Sequence, residues 1–504
     1  MMKINEIPPW LIFAVFVHGI LGSFGELLDI MINRLSVPLS NFYNESIFLH
    51  YGTFIEPHQA TVITSFIENF AICGSIISVI FLIPKMDTWG RKNIAVYLRG
   101  FLGIFAALLI VAAKNFEAFE LFAVAQIFSG FIRPLKTGVA KAYISECTPD
   151  DIRGLITQGI TTCSYGVVIA TGFLTLPFAF GNFERWHWMA GLAFFIAIFF
   201  IIFGNFIPES PKFMLFKGKD KKAVIQTIKK FHGKSVDTDA ILDEYEHEFR
   251  SISGNRNNNN NGHESYKKLW NDMGLRESLY LVIVASLAPA IGPAQINHLY
   301  SIPLKIRFGF TNSQALLFET VLSLFYGPFM FLLPYLYERI GRRPCFLVAT
   351  FCGASASVFL FIAQAIVSLY GASIFTVILS ICYTFCVGFS YGFGIPIFYI
   401  ILINDLFPAS AKVTATQAAI LLNNISSICV NFGYASFEKP LGPFIYVPFI
   451  AAQFFFFVYS YRNLPETRRR AVYQNFENLR SQAVSRRQSI LAGRSRTSTY
   501  GTSM

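Results

Sequence analysis

Long uncharged apolar runs recur along this chain, and they constrain its fold more than any other feature. The stretch AGLAFFIAIFFIIFGNF (190–206) contains no ionisable residue. A helix rises about 1.5 Å per residue, so about 20 such residues cross a hydrocarbon layer about 30 Å thick. Inside lipid, backbone polar groups must be satisfied within the protein, which leaves helices or closed barrels. Barrel strands alternate apolar and polar residues, whereas these runs are continuous. The expectation is an all-α polytopic membrane protein.

The charge content agrees. Charged residues make up 14% of the 504 positions, against about 25% in soluble proteins. Twelve spans are read, at 10–32, 60–83, 95–113, 119–142, 156–180, 187–207, 279–302, 314–336, 345–367, 373–403, 413–435 and 443–462. Residues 1–9 carry one lysine and the run after them is long enough to span, so no cleavable signal peptide is expected. Four regions follow: a six-helix half over 1–207, a polar helical insert over 208–277, a second six-helix half over 278–463 and a basic tail over 464–504. The insert contains NRNNNNNG (255–262), which has no apolar residue and reads as a disordered loop.

The net charge of +11 follows topology. Lys85, Arg91, Lys92, Arg339, Arg342, Arg343 and the insert lysines fall on one side, read as cytosolic by the positive-inside rule. Both termini lie on that side, in the plasma membrane, and nucleic-acid binding is excluded. The opposite loop, 33–59, holds the glycosylation acceptor Asn44-Glu45-Ser46. None of the eight cysteines falls in an outer loop, so no disulfide framework is expected. The tail has eight arginines and two glutamates, a composition suited to anionic lipid. Its Arg486-Arg487-Gln488-Ser489 has the form of a basophilic kinase site.

Span four is anomalous. LFAVAQIFSG runs into FIRPLKTGVAKAYISE, which puts Arg133, Lys136 and Lys141 in or near lipid. An intramembrane charge costs from about 3 to over 10 kcal/mol, so such residues face cavities or partners. On span one, Glu26 and Asp29 lie about 80° and about 20° from His18 by helical geometry, one polar face. Span two adds Glu68. Three readings of Arg133 stand: an ion pair with Glu26 or Glu68, a group for an anionic substrate or proton-coupled pair, or a misplaced span with Arg133 near water. Lys141 reads as an inner-end anchor.

The chain also repeats itself. WGRK (89–92) matches IGRR (340–343), Glu146-x-x-Pro149-x-x-x-Arg153 matches Asp405-x-x-Pro408-x-x-x-Lys412, and Pro208-Glu209-Ser210 matches Pro465-Glu466-Thr467. The pairs follow the second, fourth and sixth spans of each half, so two pseudo-symmetric six-helix halves are expected. A cytosolic gate network is read from Asp87, Gly90, Arg91, Lys92, Glu146, Arg153 and Glu209. Its counterparts are Glu338, Arg339, Gly341, Arg342, Arg343, Asp405, Lys412 and Glu466. Contacts among them would tie the halves together and break when the halves rock apart.

DTWGRK (87–92), PESPKFML (208–215), YERIGRRP (337–344) and NLPETR (463–468) together resemble the motifs of the sugar porter family of the major facilitator superfamily, over about residues 10–470. The resemblance implies the twelve-helix major facilitator fold and an alternating-access carrier with its solute site between the halves. It also implies hexose-like cargo, moved passively or with protons. Carried over by position, substrate contacts fall at Thr161, Gln295, Asn297, Tyr326 and Asn423, with His298 beside them. The family's helix-four arginine is replaced by Gln126, and its helix-seven glutamines by the prolines and alanines of LAPAIGPAQINHLYS (287–301). Arg133 and Glu26 join the substrate candidates, and Glu26, Asp29 and Glu68 are the coupling candidates.

No nucleophile triad, phosphate loop or metal cluster is read, so no enzyme, cofactor or metal is expected. The expected partners are a small polar solute and the bilayer, with a sugar or polyol foremost. An organic anion carrier and a non-transporting solute sensor on the same fold are the other readings.

Overall fold

Prolines, glycines and short polar breaks cut the apolar runs into helices at the expected places. The computed structural model describes residues 7–149, 152–218, 220–233, 236–246, 270–407, 409–467 and 481. The Asn-rich stretch, the kinase motif and nearly all of the tail lie outside the described residues. Among those described there is no strand.

In the first half, span one is Pro9–Gly19 and Phe24–Arg34, span two Pro57–Ile77 with its continuation to Leu82, and span three Asn93–Leu98 and Arg99–Asn115. Span four is Phe119–Pro134 followed by Leu135–Ala140 and Lys141–Cys147, span five Arg153–Leu174 and span six Trp188–Asn205. In the second half, span seven is Met273–Ala290 and Pro293–Arg307, span eight Asn312–Arg339 and span nine Arg342–Tyr370. Span ten is Ile374–Gly392 and Phe398–Leu406, span eleven Ala409–Leu441 and span twelve Val447–Asn463. Spans four, five and eight are not among the helices apolar enough to be recognised as membrane-crossing by composition; span four is the one that carries Arg133, Lys136 and Lys141.

Two features differ from the sequence expectation. The loop after span one contains a helix, Ser36–Tyr51, and Asn44 lies on it with its side-chain oxygen accepting from Ile55 N at 3.0 Å. Span one also breaks at Leu21–Ser23, so helical counting does not carry across it. His18 is fully buried against Tyr143 and Phe200 inside the first half rather than facing a cavity.

The halves meet mainly at the face that carries helix Ser36–Tyr51, here called the loop face. Arg34 of span one donates to Thr320 of span eight at 3.2 Å, and Asn33 donates to the Asn297 carbonyl at 3.4 Å. Asn431 of span eleven donates to Asn69 of span two at 3.2 Å. Lys439 reaches Glu56 at 3.4 Å. The opposite, insert face carries Pro211–Phe216 and Lys221–His232. Val224, Ile228, Leu242 and Tyr245 form a small core there, matching the amphipathic spacing of KKAVIQTIKKF.

Candidate functional site

The site begins with how closely spans two and four approach. A Cβ on Gly74 would run into the Ile127 carbonyl, and one on Gly130 into the Ala71 carbonyl. With no side chain at either glycine, the backbones touch, as at small-residue helix crossings in membranes. Ser75 and Ser78 then donate to the carbonyls of Gly130 and Phe131 at 2.9 and 3.1 Å. One turn on, Pro134 lacks a backbone donor, and Leu135–Ala140 follows as a π-helical turn. This irregular turn presents Arg133 and Lys136 toward span one.

Arg133 Nε donates to Asp29 Oδ2 at 2.7 Å and its Nη2 to Glu68 Oε1 at 3.3 Å. Lys136 pairs with Glu26 and donates to Ser23 Oγ at 2.8 Å. The side chain of Glu68 is 2% exposed, those of Asp29 and Arg133 16% and 33%, so the cluster is open on the Arg133 side and closed behind Glu68. Behind Lys136, Arg99 is fully buried against the Phe200 and Phe24 rings and reaches the Gly22 carbonyl at 3.4 Å.

The second half supplies the facing wall. Span seven breaks at Gly292, and Gln453 of span twelve fits the gap, donating to the Ala288 and Ile291 carbonyls at 2.8 and 2.7 Å. The break leaves the polar run Gln295–His298 at the start of the next helix. His298 is exposed and sits within the electrostatic field of Glu68, Arg133 and Asp29. Gln295 donates to Asn431 at 2.9 Å, and Asn297 accepts from Tyr383 at 3.2 Å.

The remaining sequence candidates are held by their own scaffold. Asn423 donates to the Ser286 carbonyl at 2.7 Å. Tyr326 is buried against Gly388 and donates to the Phe385 carbonyl at 2.9 Å. Half-buried Thr161 bonds Thr157 of its own helix at 3.5 Å. Sequence reasoning did not single out Asn69, Asn431, Arg99 or the Lys305–Glu319 pair, which is 3.5 Å long in the second half. Arg99 and Glu319 carried the same signal as Arg133, an ionisable residue inside an apolar span.

The repeated motifs build two matching networks on the insert face. Arg91 pairs with Glu146 at 3.1 Å and Asp87 at 3.2 Å, and Ser210 donates to Glu146. Arg342 pairs with Asp405, and Thr467 donates to Asp405 at 2.8 Å. Glu209 accepts from Lys92 N at 3.0 Å; Glu466 accepts from Arg342 N and Arg343 N at 3.0 and 3.1 Å. Gly90 and Gly341 have φ of +102° and +114°, and a Cβ there would lie 2.5 and 2.6 Å from the Glu209 and Glu466 carboxylates. Arg153 donates to the Ser145 carbonyl at 3.1 Å and Arg339 to Tyr335. Lys412 is half-buried on span eleven; the Glu338 side chain lies outside the described set. Each of these contacts runs within one half, whereas the sequence reading had them joining the halves.

Burial raises the Glu209 carboxyl above the usual carboxylate range, against the opposing pull of its two backbone donors and Arg91. Burial likewise lowers the Lys92 ammonium.

A family model described as "Sugar (and other) transporter" matches residues 15–477. The chain belongs to this family. Among curated proteins the chain is similar to the chicken facilitated glucose transporter member 1, 24% identical over 87% of each chain. The mouse member 3 is 25% identical over 93% of this chain and 92% of its own. In fold, this transporter is similar to an inward-open xylose transporter XylE from E. coli, with a TM-score of 0.68 at 15% identity over 93% of this chain and 99% of that one. A partially occluded inward-open form of XylE gives 0.67 at 16% identity over 91% and 98%. The twelve-helix major facilitator fold expected from the sequence is thus the observed one, and the protein is a multi-pass membrane transporter.

Proposed function

We propose that this transporter carries a sugar or polyol between its two six-helix halves by alternating access, and that movement is coupled to a proton held at Asp29. The observation that carries this is the sharing of Arg133 by two carboxylates. One guanidinium faces Asp29 and Glu68, while Glu26 is served by Lys136. The Arg133 cluster thus has a surplus acid in a low-dielectric site, where an uncompensated charge is costly and a proton relieves it. Asp29, 16% exposed against 2% for Glu68, is the acid that a proton from solvent can reach, and Glu68 is the buried anchor of Arg133. His298 stands across the site as a polar contact for the solute, with Gln295 and Asn297 on the same helix turn.

The cross-half contacts at the loop face support a closed loop side and an insert side from which solute enters or leaves. We place the loop face outside and the insert, tail and termini in the cytosol of a plasma-membrane protein. The tail then lies beside anionic lipid and accessible to a kinase, and Asn44 faces the glycosylating compartment. An organic anion is disfavoured as cargo, since Arg133 already faces two acids. The relatives named as glucose transporters and the xylose transporters of like fold support the sugar class. Uptake of radiolabelled D-glucose and D-xylose into proteoliposomes, with and without an inward proton gradient, tests the proposal.

A further inference from the structure

Spans two and eleven meet across the halves through a pair of asparagines, and the contact does not end there. Asn431 Nδ2 donates to Asn69 Oδ1 at 3.2 Å, and Asn431 Oδ1 accepts from Gln295 Nε2 at 2.9 Å. Gln295 Oε1 in turn accepts from Ser427 Oγ at 3.4 Å. Asn69, Asn431 and Ser427 are buried, whereas Gln295 is half-buried and stands on the polar turn of span seven that also carries His298. The chain of bonds runs from the seam between the halves to a solute contact.

Amide chemistry gives this chain its use. A primary amide has two N–H donors and an oxygen with two lone pairs. Gln295 spends one N–H on Asn431 and one lone pair on Ser427. It keeps one of each for a ligand, a donor beside an acceptor, which adjacent sugar hydroxyls can match. An amide held at one end can turn over and exchange its oxygen for its nitrogen. One held at both ends breaks two bonds to do so. Asn431 is held at both ends only while Asn69 is within reach. Asn69 belongs to the first half and Asn431 to the second. Toward the loop face the same seam continues through the Phe66 and Phe432 rings, 5.3 Å apart, and through Glu56 and Lys439. Parting the halves there removes the Asn69 bond.

We propose that Asn69 and Asn431 are positioning residues, which fix the Gln295 amide for the solute only while the loop face is closed. The inference rests on the sugar reading above and adds a state dependence to it. Solute binds more tightly with the loop face closed, because only then is Gln295 pre-organised. By linkage, bound solute favours closure at that face. Release on the loop side follows loss of the Asn69 contact.

The test is a thermal-shift titration of the purified full chain in detergent with D-glucose and with D-xylose. It reads stability without sugar and apparent affinity separately. Asn69→Leu keeps the shape of the side chain and removes the amide, and it should weaken sugar affinity about three- to tenfold. Asn431→Leu should do the same. In a Gln295→Ala background neither should weaken affinity further, since the effect passes through Gln295. Asn69→Ala serves should the leucine variants fail to fold, with the same expectation. A lower melting temperature with unchanged affinity, or losses that add to that of Gln295→Ala, overturns the proposal. A wild type that shifts with neither sugar overturns the sugar reading and this inference with it.

Discussion

The Arg133 guanidinium sits 2.7 Å from the Asp29 carboxylate and ties span four to span one inside the first half. Its second arm holds Glu68 of span two at 3.3 Å. Removing the cation by Arg133→Ala leaves both acids without it. Breaking one side of a buried pair costs about 3–5 kcal/mol. Transport should be lost and the detergent melting temperature should drop. Arg133→Lys should recover only part of this, since an ammonium cannot present a planar fork to two carboxylates. Equal behaviour of Ala, Lys and wild type in a melting assay would reject the role.

Asp29 and Glu68 should respond differently to neutralisation. Asp29→Asn removes the surplus charge and leaves the Arg133–Glu68 pair, so folding is retained and dependence of uptake on external pH is lost. Glu68→Gln removes the buried anchor and should lower stability more than Asp29→Asn. Parallel pH profiles and melting curves check the order.

The crossing of spans two and four admits no side chain. Gly130→Ala would push a Cβ into the Ala71 carbonyl, and Gly74→Ala into that of Ile127. Backbone cannot yield as a flexible side chain does, and overpacking costs about 1–3 kcal/mol or more. Both variants should express poorly. Gly433→Ala, where a Cβ meets nothing within 4 Å, should be neutral.

The duplicated glycines make a matched pair of tests. Gly90→Ala and Gly341→Ala each force an L residue into a positive-φ extended backbone that is essentially glycine-only, at about 1–3 kcal/mol, and crowd a carboxylate. The two should destabilise by similar amounts in thermal unfolding.

Glu209 sets a pH dependence. Its raised carboxyl means the folded chain holds this proton more tightly than the unfolded one. The stability it contributes is present below the ordinary carboxylate range and falls as pH rises through the raised value. The melting temperature of Glu209→Gln relative to wild type should therefore increase as pH rises above the ordinary carboxylate range. A constant difference would contradict the burial effect.

Much of the frame was legible because a bilayer leaves few options. Apolar runs marked the spans, and three motif pairs in register marked the halves. The same motifs set Arg91 and Arg342 among the acids Glu146, Glu209, Asp405 and Glu466 without choosing the pairs, which are Arg91 with Glu146 and Arg342 with Asp405. They did not reveal that these contacts stay within a half, because a sequence does not say which conformation the carrier occupies. His18 was misplaced for a local reason: the Leu21–Ser23 turn resets the helical phase. The partners of Arg133 were narrowed to acids on spans one and two, but the choice of Asp29 over Glu26 depends on the π turn after Pro134, which shifts Lys136 onto Glu26. Asn69 and Asn431 went unnoticed because a single asparagine in an apolar span has no periodic signal.

Proton-driven solute accumulation tests the central claim most directly. Proteoliposomes carrying the wild type and Asp29→Asn would be given labelled D-glucose or D-xylose under an inward proton gradient, with a protonophore control. The wild type should concentrate one of these sugars above its external level and lose that excess with the protonophore, while Asp29→Asn should only equilibrate it. Equal equilibration by both proteins would contradict proton coupling at Asp29, and absence of uptake of either sugar would contradict the sugar reading.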